Sequence, residues 1–193
     1  GQFFNWRILT KDLWYQSHPF SLSATPKENE LRFTVKALGD ATKNFDLIPI
    51  GARVIIEGPY GIFTRDSAAQ FRHVTLIGGG VGITPIRAIL DEIPYGTAIS
   101  IIYRARSKED LVLKSELDEI ASARGIAINY LIGPRSEYRI NVKTISKIAP
   151  RFVDSDVYVC GPESLIADVV QASRDAGIPK DRIHHEAFLY HAQ

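Results

Sequence analysis

The stretch Gly78-Gly79-Gly80-Val81-Gly82-Ile83-Thr84-Pro85 decides how the rest of this sequence is interpreted. It lies between a short apolar segment and an amphipathic one, so it predicts a glycine-rich turn from a buried strand into a helix. The backbone of such a turn can approach a pyrophosphate, which the positive end of the helix dipole attracts. Pro85 suits the first turn of the helix, and Thr84 could cap it. Ile83 stands where the fingerprint G-x-G-x-x-G has its third glycine, so a tight turn without a ligand stays an alternative.

The composition is that of a folded globular chain, since 45% of the 193 residues are hydrophobic and 23% are charged. A formal net charge of +1 provides no strong field for nucleic acid, which we exclude as a partner. The single cysteine cannot form an internal disulfide, and alone it cannot hold a zinc ion or an iron-sulfur cluster. The chain starts at Gly1, contains no Met and has no signal sequence or spanning apolar run, so we expect a fragment of a longer protein.

The pattern of apolar and turn residues changes along the chain and predicts two domains, residues 1–68 and residues 69–193. In the first, short alternating segments and closely spaced turns predict antiparallel strands, including 31–37 and 54–57, in a barrel. In the second, strands alternate with amphipathic helices, which is typical of a parallel sheet with helical crossovers. The predicted strands of that sheet are 74–77, 98–103, 127–132, 157–160 and 183–187, and the predicted helices are 84–92, 114–124 and 163–176. The predicted fold class is therefore a β barrel followed by an α/β domain with a five-stranded parallel sheet.

Two further motifs fall at the carboxyl ends of predicted parallel strands, where α/β sheets bind ligands. Tyr103-Arg104-Ala105-Arg106-Ser107 follows the second strand, where NAD-specific enzymes often carry an acidic residue. Arginine there suits a 2′-phosphate, and solvated surface arginines are the alternative. Val157-Tyr158-Val159-Cys160-Gly161-Pro162 places Cys160 at another strand end, where a lone cysteine is either a small core residue or an active-site group.

Two other segments carry polar groups beside aromatic or imidazole rings. His18-Pro19-Phe20-Ser21-Leu22-Ser23 could hold a flat heterocycle by stacking and a hydrogen bond, and a strand with one buried Phe is the alternative. Ile183-His184-His185-Glu186 invites a metal site, but adjacent strand residues point to opposite faces and no third ligand is evident. We therefore predict no metal site.

Read together and in this order, the segments HPFSLS, GPYG, GGGVGITP, YRARSKEDL, VYVCGP and HEAF resemble the ferredoxin-NADP reductase superfamily. The branch that they resemble most is the ferric reductase and NADPH oxidase type. They cover most of the chain from His18 to Phe188, and the combination is far more specific than any one of them. The resemblance implies an antiparallel barrel that binds FAD, followed by a domain that binds NADPH, with NADH possible. It also implies that the first barrel strands precede Gly1, so we expect an open sheet edge and weak flavin affinity.

On the flavin side, the resemblance places Phe20 against the isoalloxazine, Ser21 near its N5 atom and His18 toward the pyrophosphate. The usual motif begins with Arg and has Tyr in place of Phe20, and the HPF form is similar to that of membrane oxidases and ferric reductases. Backbone around Val35 to Ala37 would line the flavin, and Gly39-Asp40-Ala41-Thr42 matches the segment that meets its phosphates. The residues implied to contact the flavin are His18, Pro19, Phe20, Ser21, Val35, Lys36, Thr42 and Phe188.

On the nucleotide side, Gly79 to Pro85 matches the pyrophosphate loop, and Cys160-Gly161-Pro162 matches the turn beneath the nicotinamide. Glu186 and Phe188 match the E-x-aromatic ending, in which Phe188 would cover the flavin until the nicotinamide displaces it. The residues implied to contact the dinucleotide are Gly79, Gly80, Val81, Gly82, Thr84, Pro85, Arg104, Arg106, Cys160, Gly161 and Pro162. The residues with implied catalytic roles are Ser21, Cys160, Glu186 and Phe188.

The implied function is hydride transfer from the nicotinamide to the flavin, followed by single-electron transfer to an acceptor. The expected acceptor is haem, ferric iron or oxygen, reached through a haem-bearing membrane domain of a longer protein. That expectation places the chain in the cytoplasm, on the inner face of the membrane. Two alternatives stay open: a soluble reductase of a ferredoxin-like or other small electron carrier, and a non-catalytic module that keeps the fold without the flavin.

Overall fold

The computed structural model describes residues 2–37, 42–64 and 73–187. We refer to residues 2–37 and 42–64 as the N-terminal unit and to residues 73–187 as the C-terminal unit. The N-terminal unit holds a three-stranded antiparallel sheet, and the C-terminal unit holds a five-stranded parallel sheet. None of the helices within these ranges is long and apolar enough to cross a membrane.

The antiparallel sheet has strand β1 (Phe3–Ile8) between β2 (His18–Ser21) and β3 (Val54–Tyr60). The strand predicted over 31–37 is wrong, because this segment contributes only an isolated bridge between Phe33 and Leu22. The segment that carries Leu22 leaves the sheet soon after that bridge, because the Thr25 amide and hydroxyl donate to Asp91 and Ala88 of the C-terminal unit. A ladder needs a continuous partner, and alternation in the sequence cannot supply one.

Strand β3 lies at the edge of this sheet, and its apolar side chains face solvent in the described structure. Val54, Ile55 and Ile56 are 40%, 47% and 39% exposed. The strand runs past its predicted end at Glu57 through a cis Gly58-Pro59 bond to Tyr60. Proline is tolerated there because an edge strand has one row of backbone groups that pairs with no neighbour. The described part of the N-terminal unit is therefore an open sheet, and not a closed barrel.

The parallel sheet confirms the fold class predicted for the second part of the chain. Its strand order is β6-β5-β4-β7-β8, with every neighbouring pair parallel. The strands are β4 (His73–Gly79), β5 (Ala98–Ala105), β6 (Ala127–Ile132), β7 (Asp156–Gly161) and β8 (Ile183–Ala187). The helices are α1 (Ile83–Glu92), α2 (Lys114–Arg124), α3 (Val142–Ile148) and α4 (Glu163–Asp175).

Helices cover both faces of this sheet, so its central strands β4, β5 and β7 are largely buried on both sides. Helices α1 and α2 pack on one face, and α3 and α4 pack on the other. Phe63 of the N-terminal unit joins the first core, where its ring lies 5.6 Å from that of Tyr158. The central strands therefore read as continuous apolar runs, as expected when both faces are covered.

Candidate active site

The parallel register brings three predicted site segments to one edge of the sheet. Gly78 of β4 is paired with Cys160 of β7, and Cys160 is paired in turn with Glu186 of β8. The glycine-rich loop that follows β4 and the Gly161-Pro162 turn that follows β7 therefore leave the sheet side by side. This edge, at the carboxyl ends of the strands, is where open α/β sheets bind ligands.

The two loops touch through their backbones, which explains why two of the glycines are needed. A Cβ on Gly82 would lie 2.3 Å from the carbonyl oxygen of Cys160. Gly161 has a φ of +152°, and a Cβ there would lie 3.1 Å from the Cα of Gly79. Gly82 and Gly161 thus allow the close approach of the loops to each other.

Gly80 differs from these glycines because the space next to its Cα is open. Its φ is +55°, and a Cβ built on it would meet nothing within 4 Å among the described residues. The buried Tyr103 hydroxyl lies within hydrogen-bond distance, 3.2 Å, of both the Gly80 and the Asp110 carbonyl oxygens. Gly80 is therefore the place in the loop where backbone is both fixed in position and accessible to a ligand.

The first turn of α1 follows this loop directly. The predicted cap at Thr84 is wrong: Gly82 occupies the N-cap position without a side-chain cap, and the Thr84 hydroxyl donates to the Val81 carbonyl at 3.0 Å. Amide groups in the first turn of a helix have no partner within the helix. In α1 the Ile83 amide already donates to the Gly80 and Val81 carbonyl oxygens and Pro85 has no N–H, so the positive end of the helix dipole is what would attract an anionic group such as the predicted pyrophosphate.

On the opposite side of the site, the HPF segment forms part of an aromatic cluster. Phe20 is half-buried, and its ring stacks on Phe33 with centroids 5.4 Å apart and planes 4° apart. His18 lies 5.8 Å from Phe20 on the same face of β2, and Phe45 meets both rings edge-on. Burial lowers the pKa of His18, so its ring favours the neutral form, and its Nε2 lies 3.0 Å from Gln16 Oε1. Pro19 is exposed on the other face.

Ser21 ends β2, directly after the Phe20 ring of this cluster. Its side chain is buried, and it is paired with Phe3, which is itself paired with Tyr60. The next residue, Gly61, lies against β8, because a Cβ on Gly61 would be 3.6 Å from Glu186 Oε1. The ends of the two sheets therefore meet at the Glu186 carboxyl group.

Glu186 is the titratable group at this junction. Its Oε2 is buried and has no hydrogen-bond partner among the described residues. Burial raises the pKa of Glu186 to about 7, so the carboxyl group can hold a proton near neutral pH. A perturbed carboxyl group with a free oxygen at a ligand-binding edge is a candidate for contact with a ligand.

Cys160 lies next to Glu186, but its thiol belongs to the buried core. The residue is 0% exposed and packs among the apolar side chains of the first core. Burial raises the pKa of Cys160 well above its usual value, and the neighbouring Glu186 charge acts in the same direction. Cys160 is therefore a neutral thiol, and its predicted contact with the nicotinamide stays a prediction.

The two arginines at the end of β5, Arg104 within the strand and Arg106 just after it, have different surroundings. Arg104 donates to the Ala105, Leu131 and Gly133 carbonyl oxygens at 2.7 to 2.8 Å and lies over the Tyr138 ring. Its guanidinium therefore joins β5 to the segment after β6. Arg106 is exposed. Of the two, Arg106 is better placed for the predicted 2′-phosphate contact.

Of the remaining predicted flavin contacts that the structure describes, only Val35 lines a groove of about 450 Å³ in the N-terminal unit. Val35 lines this groove together with Phe33, Phe45 and Ile48. Lys36 does not point freely toward a ligand, because its Nζ donates to Asp110 Oδ1 at 2.5 Å. Thr42 is half-buried. Gly39 to Ala41 and Phe188 lie outside the described residues.

Sequence reasoning missed two residues that support the site. Tyr103 holds the Gly80 carbonyl, and Asp110 joins the same loop region to Lys36 of the N-terminal unit. Both belong to the motif YRARSKEDL, in which the arginines drew attention as ligand contacts. The signal available was a tyrosine on the buried face of a strand, where its hydroxyl needs a partner.

Comparison with known proteins gives a match to each unit. Residues 1–64 match the family of FAD-binding domains, and residues 76–171 match the oxidoreductase NAD-binding domain family. The electron transfer component of toluate 1,2-dioxygenase from Pseudomonas putida is 28% identical over 200 residues, covering 97% of this chain and 58% of that protein. NADH-cytochrome b5 reductase 1 from Scheffersomyces stipitis is 31% identical over 155 residues, covering 74% of this chain and 54% of that protein.

A solved structure shares the fold of the whole chain. The FAD/NAD-binding domain of nitric oxide dioxygenase from Vibrio cholerae superposes with a TM-score of 0.79 at 24% identity, covering 97% of this chain and 84% of that one. The chain spans about half the length of the curated relatives it matches.

Proposed function

We propose that this chain, which matches the families of FAD-binding domains and oxidoreductase NAD-binding domains, is the reductase part of a longer flavoprotein of the ferredoxin-NADP reductase superfamily. In this proposal it binds FAD with the N-terminal unit and NADPH or NADH with the C-terminal unit. When bound, the flavin accepts hydride from the reduced nicotinamide and releases the electrons one at a time. The protein supplies the orientation of the two groups.

The observation that carries this proposal is the meeting of the two sheets at Glu186, whose carboxyl group lies against Gly61 just after β3. The residues on each side fit the two cofactors. The N-terminal unit offers the half-buried Phe20 ring and the buried Ser21 hydroxyl. The C-terminal unit offers open backbone at Gly80 and a first turn of α1 that has no side-chain cap.

The residues at the junction perform separate tasks in this proposal. The Ser21 hydroxyl, fixed by its place in the sheet, hydrogen-bonds the reacting edge of the flavin. Glu186 orients the nicotinamide through its unpartnered oxygen, and Cys160 fills the space beneath the ring as a neutral thiol. Phe188, two residues beyond Glu186, gates access to the flavin.

A dye assay tests the activity. The chain is supplied with FAD and mixed with NADPH or NADH and ferricyanide, a one-electron acceptor that needs no protein partner. We expect dye reduction that requires both FAD and the dinucleotide. A chain that binds neither cofactor and reduces no dye would favour the non-catalytic alternative.

For the natural acceptor we propose a haem-bearing membrane domain that passes electrons to ferric iron or oxygen, with this chain on the cytoplasmic face. The HPF form of the flavin motif supports this choice through its resemblance to membrane oxidases and ferric reductases. A second candidate, a small soluble electron carrier, is favoured by the similarity to a dioxygenase electron transfer component. Fractionation of cells that express the parent protein separates the two, since only the first places the chain in the membrane pellet after a salt wash.

A further inference from the structure

Two side chains from separate parts of the fold converge on the carboxylate of Glu116, in the first turn of α2. Arg32 of the N-terminal unit donates to both carboxylate oxygens, at 2.9 and 3.0 Å. Arg87 of α1 donates to one of them at 2.6 Å. One carboxylate therefore holds a guanidinium from each unit.

Arg87 connects the Glu116 carboxylate to α1, the helix that follows the glycine-rich loop. Arg87 is 8% exposed and lies one turn after Thr84, in the helix whose first turn faces the proposed pyrophosphate. Arg87 and the first turn of α1 belong to one continuous hydrogen-bonded helix of ten residues. Holding Arg87 therefore fixes the position of the loop at the start of α1.

Arg32 connects the same carboxylate to the segment that follows Ser21. The Arg32 guanidinium also donates to the Ser23 carbonyl at 2.5 Å, and the Ser23 amide donates back to the Arg32 carbonyl at 2.9 Å. Ser23 is fully buried two residues after Ser21. Holding Arg32 therefore fixes the chain segment that carries the Ser21 hydroxyl.

The surroundings of Glu116 make this contact stronger than an exposed ion pair. The Glu116 side chain is 27% exposed and the Arg87 side chain is 10% exposed. Burial alone would raise the pKa of Glu116, but the hydrogen bonds from Arg32 and Arg87 outweigh it and hold the pKa below its usual value. Charge-assisted bidentate bonds in such a setting are directional and poorly screened by salt.

We propose that Glu116 is a positioning residue for hydride transfer, which sets the distance between Ser21 and the dinucleotide loop by holding Arg32 and Arg87 on one carboxylate. The inference rests on the function proposed above, and it assigns to α2 a task in catalysis without contact to either cofactor. Geometry at the reacting atoms is sensitive to such support, since a misplacement of about 1 Å can slow a reaction about 100-fold.

Distances between the units test this proposal without any cofactor. Nitroxide labels are placed at exposed positions through Glu28→Cys in the N-terminal unit and Arg174→Cys in the C-terminal unit, while the natural Cys160 is fully buried. In a Glu116→Gln background we expect a broader distribution of label distances than in the parent. Arg32→Gln, which changes a side chain that is 35% exposed, should broaden it similarly and serves as the second variant if Glu116→Gln does not fold.

The matched control is Asp118→Asn on the same helix. Asp118 pairs with Lys114 and Tyr130, which both belong to the C-terminal unit, so its loss should leave the distance distribution unchanged. Broadening by Asp118→Asn equal to that of Glu116→Gln would overturn the proposal, because it would reflect general loosening. An unchanged distribution in both Glu116→Gln and Arg32→Gln would also overturn it.

Single-turnover kinetics provide the second readout. With FAD bound and the dinucleotide saturating, Glu116→Gln should reduce flavin about tenfold more slowly, while the dissociation constant of the dinucleotide stays within about twofold. Glu116→Asp, which keeps the charge, should recover most of the rate. A rate equal to the parent's, in a variant whose distances have broadened, would overturn the positioning role and leave the proposed reductase activity intact.

Discussion

At the scale of the residue, Glu186 links the electrostatics of the junction to stability. Its pKa is raised to about 7 by burial, so the folded state prefers the neutral form and loses stability as the pH rises from about 4.5 through 7. Glu186→Gln removes this penalty. We expect the variant without cofactors to melt roughly 3 °C higher than the parent at pH 8, and at the same temperature at pH 4. Melting curves at both pH values check this, and a variant that is less stable at pH 8 would contradict it.

Ser21 belongs to the same scale, because its proposed role depends on one hydroxyl. Ser21→Ala removes a group that would hydrogen-bond the reacting edge of the flavin and leaves the dinucleotide loop untouched. We expect flavin reduction at saturating dinucleotide to slow about 10-fold to 1,000-fold, with the dissociation constant of the dinucleotide nearly unchanged. Stopped-flow measurements separate the two quantities. Flavin reduction at the parent rate would rule out this role for Ser21.

The two arginines at the end of β5 have different expected effects on stability. Arg104→Ala removes three hydrogen bonds to carbonyl oxygens, of which the one on Ala105 keeps the Gly133 amide as a donor, and should lower the free energy of unfolding by about 1–3 kcal/mol. Arg106→Ala should change it by less than about 0.5 kcal/mol, as for other exposed positions. If Arg106 contacts the 2′-phosphate, its loss weakens NADPH binding and leaves NADH binding unchanged. Denaturation and titration with both dinucleotides measure these effects, and equal weakening of both dinucleotides would exclude the contact.

These arginines also mark a limit of sequence interpretation. The motif predicted correctly that Arg106 follows the second parallel strand, whereas Arg104 lies within that strand, which extends to Ala105. It could not separate an arginine that binds backbone carbonyls from one that faces solvent, because that difference depends on how the segment after β6 packs against β5. Cys160 is a similar case, since its strand was predicted and its neighbours in the core come from distant segments.

At the scale of the element, a pair of matched glycine substitutions tests the role of the glycine-rich loop. Gly80 and Gly125 have similar φ angles, +55° and +64°, and open space where a Cβ would lie. Alanine at either site should therefore cost a similar free energy of unfolding, about 1 kcal/mol. Only Gly80→Ala places a methyl group on the open side of the dinucleotide loop, so only it should weaken dinucleotide binding.

Isothermal titration of the two variants checks this prediction, with Gly125→Ala as the matched control at the end of α2. Equal affinities in both variants would mean that the dinucleotide does not approach the loop at Gly80. The affinity should fall by about tenfold or more in Gly80→Ala, since backbone contact to a pyrophosphate leaves little room for a side chain.

Elements with strong local signals were predicted well. The strand over 127–132 and the helix over 114–124, which Gly125 ends, have the predicted bounds. Helix α3, seven residues long, was missed because two turns offer little periodicity. The strand predicted over 31–37 failed because its partner segment bonds to α1, which sequence periodicity cannot reveal.

At the scale of the whole molecule, the account depends on how two units are held together. The contacts that do this join residues far apart in sequence: Arg32 and Glu116 are 84 positions apart, and Lys36 and Asp110 are 74 apart. Such pairs leave no local pattern, so the sequence predicted two adjoining domains and could not predict Glu116 as their link. The order of the motifs in the sequence carries the family resemblance, and the structure supplies the contacts between the motifs.

Anaerobic reduction of the flavin tests the central claim most directly. The chain is saturated with FAD, and oxygen is removed from the solution. NADPH or NADH is then added while the flavin absorbance band at about 450 nm is recorded. We predict that this band bleaches in a single turnover and that its rate saturates with dinucleotide concentration. A band from protein-bound FAD that persists at saturating concentrations of both dinucleotides would contradict the account.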